Sequence, residues 1–420
     1  MDDTLKLRIL SQYFPPDVAN TGQLLFELAV GFVGRQIDVE VLTALPTYGR
    51  KIEATRSEVL NGVKVTRVWS TRLDKNRPIG RILNSVTYFL SVFSHVLRSS
   101  SDDVLLIVSN PPFLPLVGYF LKRLRGKSYI WLVHDVYPEI AVKLGYLKEG
   151  GILSWIWDRM NRIVGAHAWR VIVLSDSMKQ VFVQKLGLAG AKKEDEKIRV
   201  IHNWAREDFI APIPRTKNEF LKFHNLADRF VVQYSGNLGL FQELEIVIEA
   251  ARMMDDPGFC FLFIGEGGKK ERLISLARKY NLDNVKFLPY QEYSMLPHSL
   301  TSASVAIVTL ERDIEGLAMP SKLYTVLASG TPIVAFCDEG SDIRKIVLSA
   351  KCGFALRQDD LMGFVDILRS LKNDPRLLRE LGANARRHFE EHYTFVHALD
   401  KYEELLKTLS RPGAPASLKK

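Results

Sequence analysis

Short apolar runs rich in β-branched and aromatic residues alternate with helical patterns from one end of this chain to the other. That alternation restricts the possible fold more than any other feature. In the first half, Lys6–Leu10, Asp38–Leu42, Lys64–Val68, Val104–Val108, Tyr129–Val133 and Val171–Leu174 predict strands. Several are apolar throughout, as strands covered on both faces must be. Gln23–Val33 and Pro112–Arg125 predict helices between them, the second capped by Asn110 and stopped by Gly126. The second half repeats the theme. Strands are predicted at Phe230–Tyr234, Phe259–Ile264, Val285–Leu288, Val305–Val308 and Ile333–Ala335, and helices at Glu243–Met254, Lys269–Tyr280 and Lys322–Ala328. Such repetition predicts an α/β chain of two doubly wound domains.

The boundary is legible as well. Ile198–Ile201 reads as one more strand, and the stretch Ala205–Lys217 holds Pro212 and Pro214 without periodicity. The expected domains are therefore 1–205 and 206–385, followed by helix over 386–409 and a polar, disordered tail at 410–420. With 420 residues the chain has room for both cores. Three cysteines without CxxC or metal-ligand spacing exclude a disulfide scaffold.

Charge is unevenly spread. The net charge is +9; residues 1–205 hold 28 basic and 19 acidic side chains, so the second half is neutral. The surplus concentrates in Lys64–Lys127, with 11 basic residues against 3 acidic. Within it, residues 76–97 read as a helix with Ile79, Ile82, Leu83, Val86, Phe89, Leu90, Phe93, Val96 and Leu97 on one side, and Arg77, Arg81 and Arg98 near its ends. This stripe suits either core packing or an anionic lipid surface; a merely solvated basic face is the plain alternative. No segment reads as a signal peptide or a membrane span. A soluble cytoplasmic chain, peripheral on the inner face of the membrane, is the expectation.

Ligands of open α/β sheets bind beyond the carboxyl ends of the strands. That rule selects Tyr13–Asp17 with Thr21–Gly22–Gln23, His134–Glu139, Ser235–Gly239, Gly265–Lys269 and Pro320–Lys322. The glycines serve equally well as tight turns, and neither Gly cluster matches a phosphate-loop fingerprint. Pro320–Ser321–Lys322 is the sharper signal, because a helix entry with a hydroxyl and an ammonium makes an anion site; an ordinary helix start is its alternative.

Taken in order, YFPPDVANTGQ, LTALPTYG, NPPF, LVHDVYPEIAVKLGYL, VIHNWA, YSGNLG, FIGEGG and PSKLYTVLASGTPIVA resemble GT-B glycosyltransferases of the family 4 type. Within that family they resemble the bacterial surface-polysaccharide (O-antigen, colanic-acid, fucosyl-type) transferases. The resemblance spans roughly residues 7–409. It implies two facing Rossmann-like domains with the terminal helix crossing back to the first. It also implies a donor nucleotide sugar on the second domain, near Gly236, Asn237, Gly265, Gly267 and Tyr290, with Ser321, Lys322, Leu323 and Thr325 at the diphosphate and ribose. Gly22 and Thr21 lie near the donor phosphates in such proteins and His134 near the reacting sugar. Gln23, Asp135, Tyr137 and Glu139 are implied on the acceptor side or as loop-orienting residues. The chain departs from the family at two usual cation positions, which hold Asn237 and Gln242. It departs again at two usual glutamates, which align with Leu317 and Thr325.

The resemblance implies a retaining hexosyltransferase that moves a sugar from a nucleoside diphosphate to a glycan, with His134 and Lys322 catalytic. The lack of a DxD motif or His/Asp cluster predicts a metal-independent reaction, and the apolar stripe inside the basic stretch 64–127 favours a lipid-linked acceptor. No cofactor, metal or nucleic-acid partner is expected. The partners are the donor, the acceptor and an anionic membrane surface met through residues 64–127. A nucleotide-sugar epimerase of the same fold and a catalytically silent sugar-nucleotide binder are the alternatives.

Overall fold

A computed structural model describes residues 5–17, 20–46, 54–74, 77–99, 103–191, 193–239, 242–254 and 256–409. The expected tail at 410–420 lies outside them, as do 18–19 of the first motif and 47–49 of LTALPTYG. The chain divides into two units. The first comprises 1–202, Leu317–Met319 and 398–420; the second comprises 203–316 and 320–397.

In the first unit the strands are β1 Lys6–Leu10, β2 Asp38–Ala44, β3 Ser57–Leu60, β4 Val63–Val68, β5 Val104–Val108, β6 Tyr129–Leu132, β7 Arg170–Val173 and β8 Ile198–Val200. They form one sheet in the order β3-β4-β2-β1-β5-β6-β7-β8, parallel except for β3. β5 is buried along its whole length, as its unbroken apolar sequence requires. β3 escapes the strand pattern because it alternates exposed and half-buried residues on the sheet edge. It reaches β4 through Asn61–Gly62, both at positive φ, which is the two-residue hairpin chemistry.

The second unit carries β9 Phe230–Ser235, β10 Phe259–Ile264, β11 Val285–Leu288, β12 Val305–Thr309, β13 Ile333–Phe336 and β14 Gly353–Leu356. Their order is β11-β10-β9-β12-β13-β14, all parallel. Its core packs Phe261, Phe263, Ile307 and Phe336 under helices that contribute Val247, Ile248, Phe364 and Leu368. β14, short and only half-buried, has no sequence signal strong enough to be seen. Both sheets are Rossmann-like, and each has a switch point where its strand order reverses, at β1/β5 and at β9/β12.

Three expectations change. The helix expected at Pro112–Arg125 is α3, Leu116–Arg125, entered through Pro115 rather than capped by Asn110. Three prolines at 111, 112 and 115 keep the preceding turn out of the helix; Gly126 ends it in the left-handed conformation. The terminal segment read as one or two helices over 386–409 is two, Pro375–His392 and Phe395–Lys407, the first beginning well before 386, and the chain rejoins the first unit only from Ala398. There Asp400 and Glu403 pair with Arg35 at 2.6 and 2.8 Å, and Tyr402 meets Phe32 of α1, Asn20–Gly34. Finally, the boundary falls at 202/203 rather than 205/206, because Ala205 bridges Thr394 and Trp204 packs on Phe395 in the second unit.

α2, Pro78–Arg98, carries Tyr88, Val92 and Val96 into the core. Of the stripe read as core or membrane contact, Val96 is buried, whereas Ile79 (73% exposed), Ile82, Leu83, Val86 and Leu90 are uncovered. No helix among the described residues is long and apolar enough to cross a membrane.

Candidate functional site

The switch point of the second sheet gathers the sharpest chemistry. Lys322 opens the helix Lys322–Ser329, directly after Pro320–Ser321. Its Nζ donates to the Tyr234 hydroxyl at 2.5 Å and lies 3.8 Å from the centre of that ring. The hydroxyl of Tyr234, at the end of β9, is within 2.8 Å of Asn237 O and 2.6 Å of Gln242 Oε1. Gln242 Oε1 also accepts from Thr309 Oγ1, at the end of β12, at 2.7 Å. Burial pulls the Lys322 ammonium down to about 7. No carboxylate of the described residues neutralises it, so when protonated it is a half-buried cation without a counter-ion, a state that an incoming anion relieves.

The glycines expected to face a nucleotide are placed differently from one another. Gly236 has φ +137°, and a Cβ there would meet Lys322 Nζ at 3.3 Å. Gly265 (φ +144°) and Gly267 (φ +157°) instead let two loops touch, since added Cβ atoms would lie 2.0 Å from Gly236 O and 2.3 Å from Leu238 O. Gly236 N–H to Ile264 O and Leu238 N–H to Glu266 O, both 2.9 Å, lock the loops together. Tyr290 is half-exposed with its ring against Gly265.

Two expected contacts are already occupied. The Leu323 side chain is fully buried and its N–H donates to Pro320 O at 3.2 Å. The Thr325 hydroxyl turns back to Lys322 O at 2.9 Å, as helical threonines do. Neither projects a free group for a ribose. Sequence reasoning missed Tyr234 and Thr309, whose polar ends only the strand termini expose. It also missed Glu311, one residue past Leu310, whose Oε2 is sealed without a hydrogen-bond partner. Burial raises that carboxyl to about 6, against the pull of Lys269.

In the first unit, His134 follows β6. Its N–H donates to Ser109 Oγ, just past β5, at 3.0 Å. Its Nε2 is shut off from water and meets no partner among the described residues; burial pulls the ring down to about 4. Burial raises neighbouring Asp135 to about 6, and its backbone bridges Ala318. The rest of the loop is anchored. Tyr137 stacks on Trp157 at 5.3 Å, and Asn161 Nδ2 donates to Tyr137 O at 2.7 Å. Glu139 and Asp158 both accept from Lys185 at 2.5 Å. Thr21, Gly22 and Gln23 form the first turn of α1. Gly22 allows that turn to approach Tyr13 O, 3.2 Å from where a Cβ would be, and Gln23 reaches Glu27 at 3.2 Å. The structure thus brings Gly236, Asn237 and Lys322 together in one unit, and His134 and Asp135 with the α1 turn on the same edge of the other sheet.

Among the described residues, the one group with metal-ligating geometry is His388, Glu391 and His392, on the helix Pro375–His392 rather than on these loops.

Residues 22–204 match the glycosyl transferase 4-like domain, and residues 216–388 match glycosyl transferases group 1. The chain is 28% identical over 345 residues to probable glycosyltransferase WbjE of Pseudomonas aeruginosa, covering 80% of this chain and 83% of that one. It is 26% identical to the putative colanic acid biosynthesis glycosyl transferase WcaI of Escherichia coli, over 78% and 82% of the two chains. In structure it is similar to HepE of Anabaena, solved in complex with UDP-glucose, with a TM-score of 0.71, 16% identity, and 96% and 100% of the chains covered. A glycosyltransferase domain in each half, on two Rossmann-like sheets whose fold solved GT-B enzymes share, places this chain in the GT-B glycosyltransferases of the group 1, family 4 type.

Proposed function

We propose that the chain is a retaining hexosyltransferase that takes its sugar from a nucleoside diphosphate and passes it to a lipid-linked glycan during bacterial surface-polysaccharide synthesis. The observation that carries this reading is the un-neutralised ammonium of Lys322 at the switch point of the second sheet. In the reaction the bond from the anomeric carbon to the diphosphate oxygen breaks, an acceptor hydroxyl oxygen forms the new bond on the same face, and the hydroxyl proton passes to the departing diphosphate. Negative charge grows on the leaving diphosphate. A fixed cation and the helix N-terminus at Lys322 stabilise it without a metal. Gln242, at one of the usual cation positions, braces Tyr234, on which Lys322 rests; the departure from the family pattern and the lysine form one arrangement. His134 presents a neutral ring on the acceptor side.

The lipid-linked acceptor is supported by the uncovered stripe Ile79, Ile82, Val86 and Leu90 on α2, within the basic stretch 64–127. A place on the inner face of the membrane follows from that reading. A thermal-shift screen against UDP-, GDP- and dTDP-sugars tests the donor half. One of them should stabilise the protein by mass action and shift Lys322→Ala less at the same concentration; if none does, the donor assignment fails. Turnover of the donor without any acceptor would favour the epimerase instead.

A further inference from the structure

An open cleft of about 860 Å³ lies between the outer edge of the first sheet and α2, and no step described above uses it. None of its twelve lining residues is acidic. Arg56, beside β3, and Arg98, the last residue of α2, line it; both are exposed and neither pairs with a carboxylate among the described residues. The rim at Arg56 is held in place. Arg67 N–H donates to Arg56 O at 2.7 Å, and the Arg67 guanidinium, sealed from solvent, reaches Thr55 O at 3.0 Å and Pro15 O at 2.8 Å. α2 supplies Ser91, Ser94 and His95. At about 100° per residue these lie with Arg98 between the core face and the uncovered apolar stripe, whose Leu90 also lines the cleft. Just past β4, Trp69 stands 60% exposed.

An uncovered indole beside hydroxyls and unpaired guanidinium groups, with the nearest carboxylates, Glu40 and Glu58, already engaged by Arg8, Thr66 and Arg67, is the composition that recognises an acidic sugar. The indole takes the C–H face of a pyranose, the hydroxyls take its hydroxyls, and an arginine fork takes a carboxylate or phosphate in bidentate fashion. The volume falls within the roughly 300–1,000 Å³ of small-molecule sites. We propose that this cleft binds an anionic saccharide, a second carbohydrate site separate from the donor site. Trp69 leaves β4 at the same edge of the sheet from which the His134 loop leaves β6. The four strand steps from β4 to β6 span roughly 19 Å at about 4.8 Å each. The cleft therefore suits a remote portion of an extended acceptor chain; this last placement rests on the acceptor reading above, whereas the binding itself does not.

Titration calorimetry of the full chain with tetragalacturonic acid tests it. Saturable binding is expected, about tenfold weaker or more in an Arg56→Gln/Arg98→Gln double variant and in Trp69→Ala, and largely kept in Trp69→Phe. Uncharged maltotetraose should bind at least about tenfold more weakly. Unchanged affinity for the donor found in the screen shows that the variants are folded. No saturable binding, or equal binding by the double variant, overturns the proposal. Inorganic phosphate competing as well as the saccharide, with Trp69→Ala without effect, reduces the cleft to a bare anion site and overturns it. So does loss of binding to anionic phospholipid vesicles in the double variant without any saccharide binding, which assigns the cleft to lipid headgroups. Tetragalacturonate binding with no donor hit counts against the donor reading and leaves the cleft standing.

Discussion

Lys322 and His134 are both half-buried bases whose ordinary ionisation has been suppressed, and they are expected to behave differently. Lys322 is held down to about 7 in the free protein, and a bound diphosphate must raise it again. Above pH 7 donor binding therefore takes up a proton, and affinity falls as pH rises until the bound-state value is passed. A nucleotide sugar's diphosphate does not itself titrate there. Calorimetry in buffers of different ionisation enthalpy should show this uptake; Lys322→Ala should abolish it and cost about 1.5–3 kcal/mol of affinity. A flat pH profile in the native protein would mean the diphosphate does not meet this lysine. His134, held near 4, stays neutral at any working pH. His134→Ala should leave donor affinity intact and lower turnover by about tenfold or more, the smaller end of what a positioned base or hydrogen-bonding ring contributes. Full turnover in a transfer assay would make it a loop residue.

Among the elements, the loops after β9 and β10 depend on each other. Gly265 occupies φ +144° with Gly236 O where a side chain would begin. Gly265→Ala should therefore cost more than about 1 kcal/mol in urea unfolding, because both the dihedral and the space exclude it, and donor binding should weaken with it. Gly34→Ala is the counterpart. It sits in α1 where an added Cβ meets nothing within 4 Å, and alanine is the better helix former, so stability should hold or rise. Equal losses at both positions would show that the loop contact carries no special weight.

For the whole molecule, charge and apolar exposure coincide on the first unit. Ile79, Ile82 and Val86 are uncovered on α2, with Arg77 and Arg81 beside them and Lys122, Arg123 and Arg125 on α3. Each cation close to an anionic leaflet is worth about 1 kcal/mol. The protein should co-sediment with anionic vesicles, poorly with neutral ones, and come off in salt. Replacing Arg77, Arg81 and Lys122 with Glu should release it without altering donor affinity. Sedimentation equal on both kinds of vesicle would put the apolar stripe in charge. No sedimentation with either would leave that stripe unexplained.

Strand and helix types were legible in the chain because a buried parallel strand needs an unbroken apolar run, and β5 and β10 supply one. The loops that matter were legible for a related reason: glycine, proline and a capping hydroxyl are the residues that a strand-to-helix turn demands. Pro320–Ser321–Lys322 and the glycines after β9 and β10 stand out on that ground alone. What such a pattern leaves open is where a side chain's far end goes. Gly265 and Gly267 read as room for a ligand to approach the backbone, whereas the space a side chain would take there is filled by the neighbouring loop, and the Thr325 hydroxyl turns back into the helix. Tyr234 reads as the end of a strand and Thr309 as the residue just past one, yet their hydroxyls form the network under Lys322. Local sequence determines dihedral needs and which face is apolar. Only packing between segments far apart in the chain decides which polar groups are already paired and which are left for a ligand.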